Sequence, residues 1–196
     1  MNLLPYGPRA VLAEFATLAE VMAAAAQWRT ASLPGVIEVV PAARTVLVVH
    51  DDTFDTGLLT APVAAHPPSG SALVEIPVVY DGDDLVWVAE QCRLTVEQVV
   101  EQHSSVVYTC AFCGFMPGFA YLVGLPEILH LPRRATPRTR VPAGAVAIAS
   151  EFAAVYPGES PGGWHLLGTT SMPMWDDTRD PAAAVPPGTR VRFVAT

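Results

Sequence analysis

Residues 114–126 read GFMPGFAYLVGLP, thirteen residues with three glycines, two prolines, three aromatics and no charge. No other stretch so narrows what the chain can fold into. Pro117 and Pro126 each remove a backbone donor and restrict φ, while Gly114, Gly118 and Gly124 admit positive φ, so a regular helix is excluded. A shaped loop displaying Phe115, Phe119 and Tyr121 is expected. A loop that shows aromatics is a candidate binding surface.

The words that follow have the same texture: LPRR at 131–134, TPR at 136–138, VPAGA at 141–145 and YPGESPGGW at 156–164. Arg133, Arg134, Arg138 and Arg140 form the one dense cationic cluster of the sequence, interleaved with Pro132 and Pro137. That spacing predicts extended backbone with alternate side chains on opposite faces. Arginine suits a bidentate hold on a carboxylate or phosphate, and a solvated strip or a contact with an acidic partner is the other reading. Tyr156, Ser160 and Trp164 flank a second shaped loop, in which Gly162 and Gly163 let backbone N–H groups approach an anion. Trp164 either stacks on a ligand or packs in the core. Glu159 reads as a solvated loop carboxylate.

Cys110-Ala-Phe-Cys113 has the form of a zinc knuckle or a redox pair, but no second such word exists, and both cysteines are expected to act as buried small hydrophobes. His103 ends a helical segment, where the macrodipole favours a cation. It is either a structural cap or an acid/base or ligand-orienting group. His50, His66 and His165 read as structural or solvated, and His130 as packing.

With 196 residues and an apolar fraction of 51%, the chain can build one ordinary domain or two small ones. All eleven basic residues are arginine. A lysine Schiff base and a Walker A loop are therefore excluded. The net charge is -8, and residues 1–103 carry four Arg against thirteen acids. Such a chain is not expected to bind nucleic acid. Residues 106–125 are uncharged, but their internal Gly and Pro and lack of basic flanks argue against a membrane span. There is no signal-peptide pattern, and three cysteines make no disulfide framework, so a cytoplasmic location is expected.

Along the chain, residues 10–15 read as a strand, 18–29 as a helix, and 36–40 and 45–49 as strands, with a further short helix between Phe54 and Ala65. This order suggests a ferredoxin-like domain over residues 1–70. Pro67 to Gly70 is the expected linker. Beyond it, residues 73–80 read as a strand, Asp81 to Asp84 as a turn and N-cap before a helix ending near Cys92, and Thr95 to Gln98 as a capping box for a helix over 96–102. Short apolar runs at 106–112, 145–149, 164–167 and 191–194 then indicate a barrel or sandwich over residues 71–196.

Taken together, GF-x-PGF-x-YL, LP-RR, PR-x-x-VPAG, YP-x-x-SPGGW and a closing VRFV resemble one family of carboxyltransferase-domain proteins. It is the group of KipI, the B-type subunit of 5-oxoprolinase, and allophanate hydrolase subunit 1. The resemblance runs from about Ile76 to the C-terminus. It implies an α+β protein with a cyclophilin-like β-barrel after the ferredoxin-like domain. It also implies one component, inactive alone, of an ATP-dependent 5-oxoprolinase that hydrolyses 5-oxo-L-proline to glutamate. Implied with it are ATP with Mg, a C-type carboxyltransferase-like partner and an A-type partner of the LamB/YcsF kind. Alternatives within the resemblance are a histidine-kinase inhibitor like KipI and subunit 1 of an allophanate hydrolase or urea carboxylase-like complex. The expected site has His103 and Arg138 as catalytic groups, with Phe115, Phe119, Tyr121, Arg133, Arg140, Tyr156, Ser160 and Trp164 binding substrate. The chain departs from the family pattern at Phe152 to Ala154, at Thr169 and at Thr189, which weakens the catalytic expectation more than the fold.

Overall fold

The computed structural model describes residues 1–60 and 73–196, so the linker expected at Pro67 to Gly70 lies outside the described residues. The chain divides into two compact units, Met1–Ser69 and Gly70–Thr196.

In the first unit, β1 (Asn2–Pro5), β2 (Ala10–Glu14), α1 (Leu18–Ala31), β3 (Val36–Pro41) and β4 (Thr45–His50) are followed by a 3-10 turn, Thr56–Thr60. Thr17 starts α1 through a capping box with Glu20, and Ser32 ends it in the left-handed region at φ 46°. The helix buries Val21, Ala24, Ala25 and Trp28 with Val11, Ala13, Val46, Val48 and Leu59. The sheet order is β1-β2-β4-β3, all antiparallel. β4 thus splits a β2-α1-β3 unit, but the outer strand comes from Asn2–Pro5, ahead of that unit. The second helix expected between Phe54 and Ala65 is, among the described residues, only the 3-10 turn. The described residues therefore show half of a ferredoxin-like pattern and not the whole.

The second unit begins with β5 (Leu73–Val78), α2 (Leu85–Cys92), α3 (Val96–Ser104), β6 (Tyr108–Cys113) and β7 (Ala120–Val123). It continues through β8 (Arg138–Val141), β9 (Ala145–Ala149), β10 (Phe152–Val155), β11 (Ser160–Gly162), β12 (His165–Thr169) and β13 (Arg190–Ala195). Seven strands form one sheet in the order β12-β9-β10-β7-β6-β13-β5, and β8 pairs with β11 in a separate ribbon. The outer strands of the seven meet. Val79 and Thr169 exchange both backbone hydrogen bonds at 2.9 and 2.8 Å, and Gly82 and Asp84 donate to Leu167 and Leu166, each at 3.1 Å. The sheet is therefore nearly closed into a barrel, which leaves little open edge. Its interior holds Ile76, Tyr108, Leu122, Ile148, Val155, Leu167, Val191 and Phe193 among others. Among the described residues no helix is long and apolar enough to cross a membrane. Much of the uncharged run at 106–125 instead forms β6 and β7.

Tyr121, expected on a loop, lies in β7. The irregular segment is shorter, Gly114 to Phe119. The departures at 152–154 and at Thr169 do not lie on ligand-facing loops either: Phe152, Ala153 and Ala154 are buried in β10, and Thr169 closes the barrel. Packing sets the side chains at 152–154, and the Thr169 hydroxyl donates to Asp81 Oδ1 at 3.0 Å.

Candidate functional site

A β-bulge makes the site. Register shifts between Cys110 and Phe112 in β6, so Ala111 is the extra residue and the two-residue alternation restarts after it. Tyr108 and Cys110 belong to the barrel interior and Cys113 packs against it, while Phe112 turns to the other face and stacks on Tyr121 at 4.3 Å and 18°. β7 and β10 contribute by ordinary alternation. Leu122, Ala153 and Val155 face inward, and Tyr121 and Phe152 meet edge to face at 5.5 Å on the opposite side.

The bulge also puts both thiols of the Cys-x-x-Cys word together, with sulfurs 3.9 Å apart. Cys110 is fully buried, and the hydrogen bond with Cys113, together with burial, pushes its thiol pKa far up. Among the described residues no cluster of three or more His, Cys, Asp or Glu is arranged to hold a metal.

On the aromatic face a small pocket of about 90 Å³ is lined by Phe115, Phe119, Tyr121, Arg133, Tyr156, Pro161, Gly162, Gly163 and Trp164. Phe119 is its hub, edge-on to Tyr156 at 5.2 Å and to Trp164 at 5.4 Å. Phe115 is held at φ 72° and stands 62% exposed at the rim. A non-glycine residue in the left-handed region is uncommon. Here the turn is tied by bonds from Met116 N–H to Gly114 O and from Phe119 N–H to Met116 O.

The Arg133 guanidinium lies 5.9 Å from the centre of the Trp164 ring, a cation–π distance. Burial raises the pKa values of Tyr121 and Tyr156, so both phenols stay protonated, although Arg133 works in the opposite direction on each. The wall at Gly162 needs glycine because a Cβ there would overlap the Tyr156 hydroxyl. One guanidinium, protonated phenols and flat aromatic surfaces in so small a space suit a single small ring bearing a carboxylate.

Six of the ten expected site residues therefore line the pocket, and four do not. His103 is fully buried in the core, stacked on Phe193 at 4.4 Å, with Nδ1 2.7 Å from the Tyr80 hydroxyl. Burial lowers its pKa to about 3, which overrides the helix C-terminus and leaves the ring neutral. An acid/base role in the pocket is closed to it. Arg138 is taken by its own chain: Nη2 donates to Asp84 Oδ1 at 2.9 Å and Nη1 lies 2.8 Å from Oδ2. Arg140 is exposed and pairs with Glu159 at 2.6 Å. Ser160 lies beside the pocket, not in its lining, and its buried hydroxyl has no hydrogen-bond partner among the described residues.

Asp84 lies where the sequence places it, but its role is not the expected one. It stands at the N-cap of α2 but makes no capping bond, because its carboxylate is occupied elsewhere. Nothing local in the sequence announces partners 50 and more residues away.

The family model for the carboxyltransferase domain, subdomain C and D, matches residues 1–185. The chain belongs to that family. It is 43% identical over 183 residues to the B-type subunit of 5-oxoprolinase from Escherichia coli O157:H7, across 85% of this chain and 83% of that one. Among solved structures, TTHA0988 is 36% identical with a TM-score of 0.81, over 96% of this chain. This carboxyltransferase-domain protein spans 40% of the TTHA0988 chain. The urea amidolyase of K. lactis shares the fold at a TM-score of 0.80 and 18% identity, over 99% of this chain and 15% of that one.

Proposed function

We propose that this chain is the B-type component of a 5-oxoprolinase complex and that its aromatic pocket receives 5-oxo-L-proline for hydrolysis to glutamate. The observation that carries the reading is the 43% identity to a protein named as the B-type subunit of 5-oxoprolinase. The composition of the pocket lining supports it: in this reading Arg133 holds the carboxylate, Trp164 and Phe119 abut the ring, and the protonated Tyr121 and Tyr156 donate to the lactam oxygen.

Opening an unstrained lactam needs activation of its carbonyl oxygen, which is the chemistry ATP supplies. The pocket residues do not suit a nucleotide themselves, since about 90 Å³ and one guanidinium cannot enclose a triphosphate with Mg. In this reading ATP is held by another component of the complex, either the C-type carboxyltransferase-like partner or the A-type partner of the LamB/YcsF kind, and this chain is inactive alone.

The test is 5-oxoproline-dependent glutamate release and ATP hydrolysis with this chain alone, with the C-type partner, and with both partners. Turnover in the combined sample alone is expected. A stable complex with no turnover would overturn the reading and favour a regulatory, KipI-like role for the exposed Phe115 rim.

A further inference from the structure

The segments that carry Arg133 and Trp164 both hydrogen-bond one carboxylate, which pairs with neither of those two side chains. Asp84 is 4% exposed. It accepts from Arg134 Nη1 at 2.6 Å, from Arg138 Nη2 at 2.9 Å and from the backbone N–H of Leu166 at 2.8 Å. Burial works to raise its pKa, but the Arg138 hydrogen bond, the Leu166 N–H and the two guanidinium charges outweigh it and hold the group below the usual carboxylate range.

Each of those three partners leads to the pocket. Arg134 follows Arg133, and its backbone N–H donates to Gly163 O at 2.8 Å. Arg138 sits opposite Gly162 in the β8–β11 ribbon. Leu166 is two residues past Trp164 on β12. The same turn of α2 adds a second support, since Trp87 stacks on His165 at 4.5 Å and 16°, and His165 Nε2 lies 2.8 Å from Pro132 O. One buried anion thus ties together the segment that carries Arg133, the strand β8 that pairs with Gly162, and the strand β12 that follows Trp164.

We propose that Asp84 is a positioning residue for the substrate pocket, acting through Arg134 and Arg138 to hold Arg133 over Trp164. This rests on the functional reading above. A buried carboxylate with two arginines is a poor stabiliser compared with apolar packing, and a registry role is the best-attested reason for keeping one. It sets where a charged wall stands and does not itself reach the ligand.

The variant to make is Asp84→Asn in the reconstituted complex, because an amide oxygen still accepts from Leu166 N–H while the charge holding the arginines is gone. It is expected to lower kcat/KM about tenfold or more, chiefly through KM. Combined with Arg133→Ala it should add little to the loss from Arg133→Ala alone, since both act through one contact. Full additivity, or an unchanged KM, would overturn the proposal. Should Asp84→Asn not fold, Arg134→Gln removes one of its partners and carries the same expectations.

Acrylamide quenching of Trp164, read as the difference from Trp164→Phe, provides a readout without turnover. Asp84→Asn should make Trp164 more quenchable, and unchanged quenching would count against the proposal. A wild-type complex with no 5-oxoproline turnover would defeat the functional reading and leave quenching to decide the role of Asp84.

Discussion

Arg133 and Trp164 meet in the lining of the pocket, and Arg133 is the cation of that cluster which the Asp84 carboxylate does not hold and which lines the space for a ligand. Losing a charged hydrogen bond typically costs about 1.5–3 kcal/mol, so Arg133→Ala in the reconstituted complex is expected to reduce kcat/KM roughly 10- to 100-fold. Arg133→Lys should recover little, because a point ammonium lacks the planar fork. Gly162→Ala is expected to lower Tm and remove activity by pushing on the Tyr156 hydroxyl, with partial return of stability when Tyr156→Phe deletes that oxygen; differential scanning calorimetry of the two variants decides it. His103 gives a pH signature instead. Its folded pKa is about 3, below the ordinary 6.5, so the unfolded chain binds a proton that the folded chain refuses across that interval. Stability from the neutral ring is complete above about pH 6.5 and declines as the pH falls toward 3, by at most about 1.4 kcal/mol per unit. Urea midpoints should fall less steeply with acidification in His103→Gln than in the wild type.

At the scale of elements, helices were the legible part. The capping box Thr95–Gln98 is a local word, and α3 starts where that word places it; α1 starts at Leu18, where the run of helix formers begins, and the structure adds a capping box from Thr17 and Glu20. Strands paired across the barrel were harder. β7 hides inside a run rich in Gly and Pro, and β10, buried on both faces, lacks the alternation that marks a half-buried strand. Barrel closure depends on two glycines that carry no local signal: a Cβ on Gly82 would overlap Leu166 O, and one on Gly168 would overlap Val79 O. Gly82→Ala and Gly168→Ala are each expected to destabilise the protein by about 1–3 kcal/mol, measured by chemical denaturation. A wild-type midpoint in both would mean that the seam between β5 and β12 contributes little.

For the whole molecule, a charge of -8 with arginine as the only basic side chain predicts binding to an anion exchanger and no retention on heparin at about 150 mM salt. Retention would show that residues 133–140 present a concentrated cationic face. Pairing within the fold works against such a face: Arg134 and Arg138 share the Asp84 carboxylate, Arg138 also lies 3.8 Å from Asp83, and Arg140 pairs with Glu159. The sequence by itself determined what depends on neighbours along the chain: the helix starts, an irregular backbone within residues 114–126, the exclusion of lysine chemistry, and the family words that mark the aromatic pocket. Tertiary structure alone decided which polar groups face the pocket. His103 and Arg138 carry the right chemistry for a site, but burial in the barrel core removes the first and a carboxylate 54 residues away in sequence removes the second. Solvation and charge pairing depend on what the fold brings near, and no local pattern encodes that.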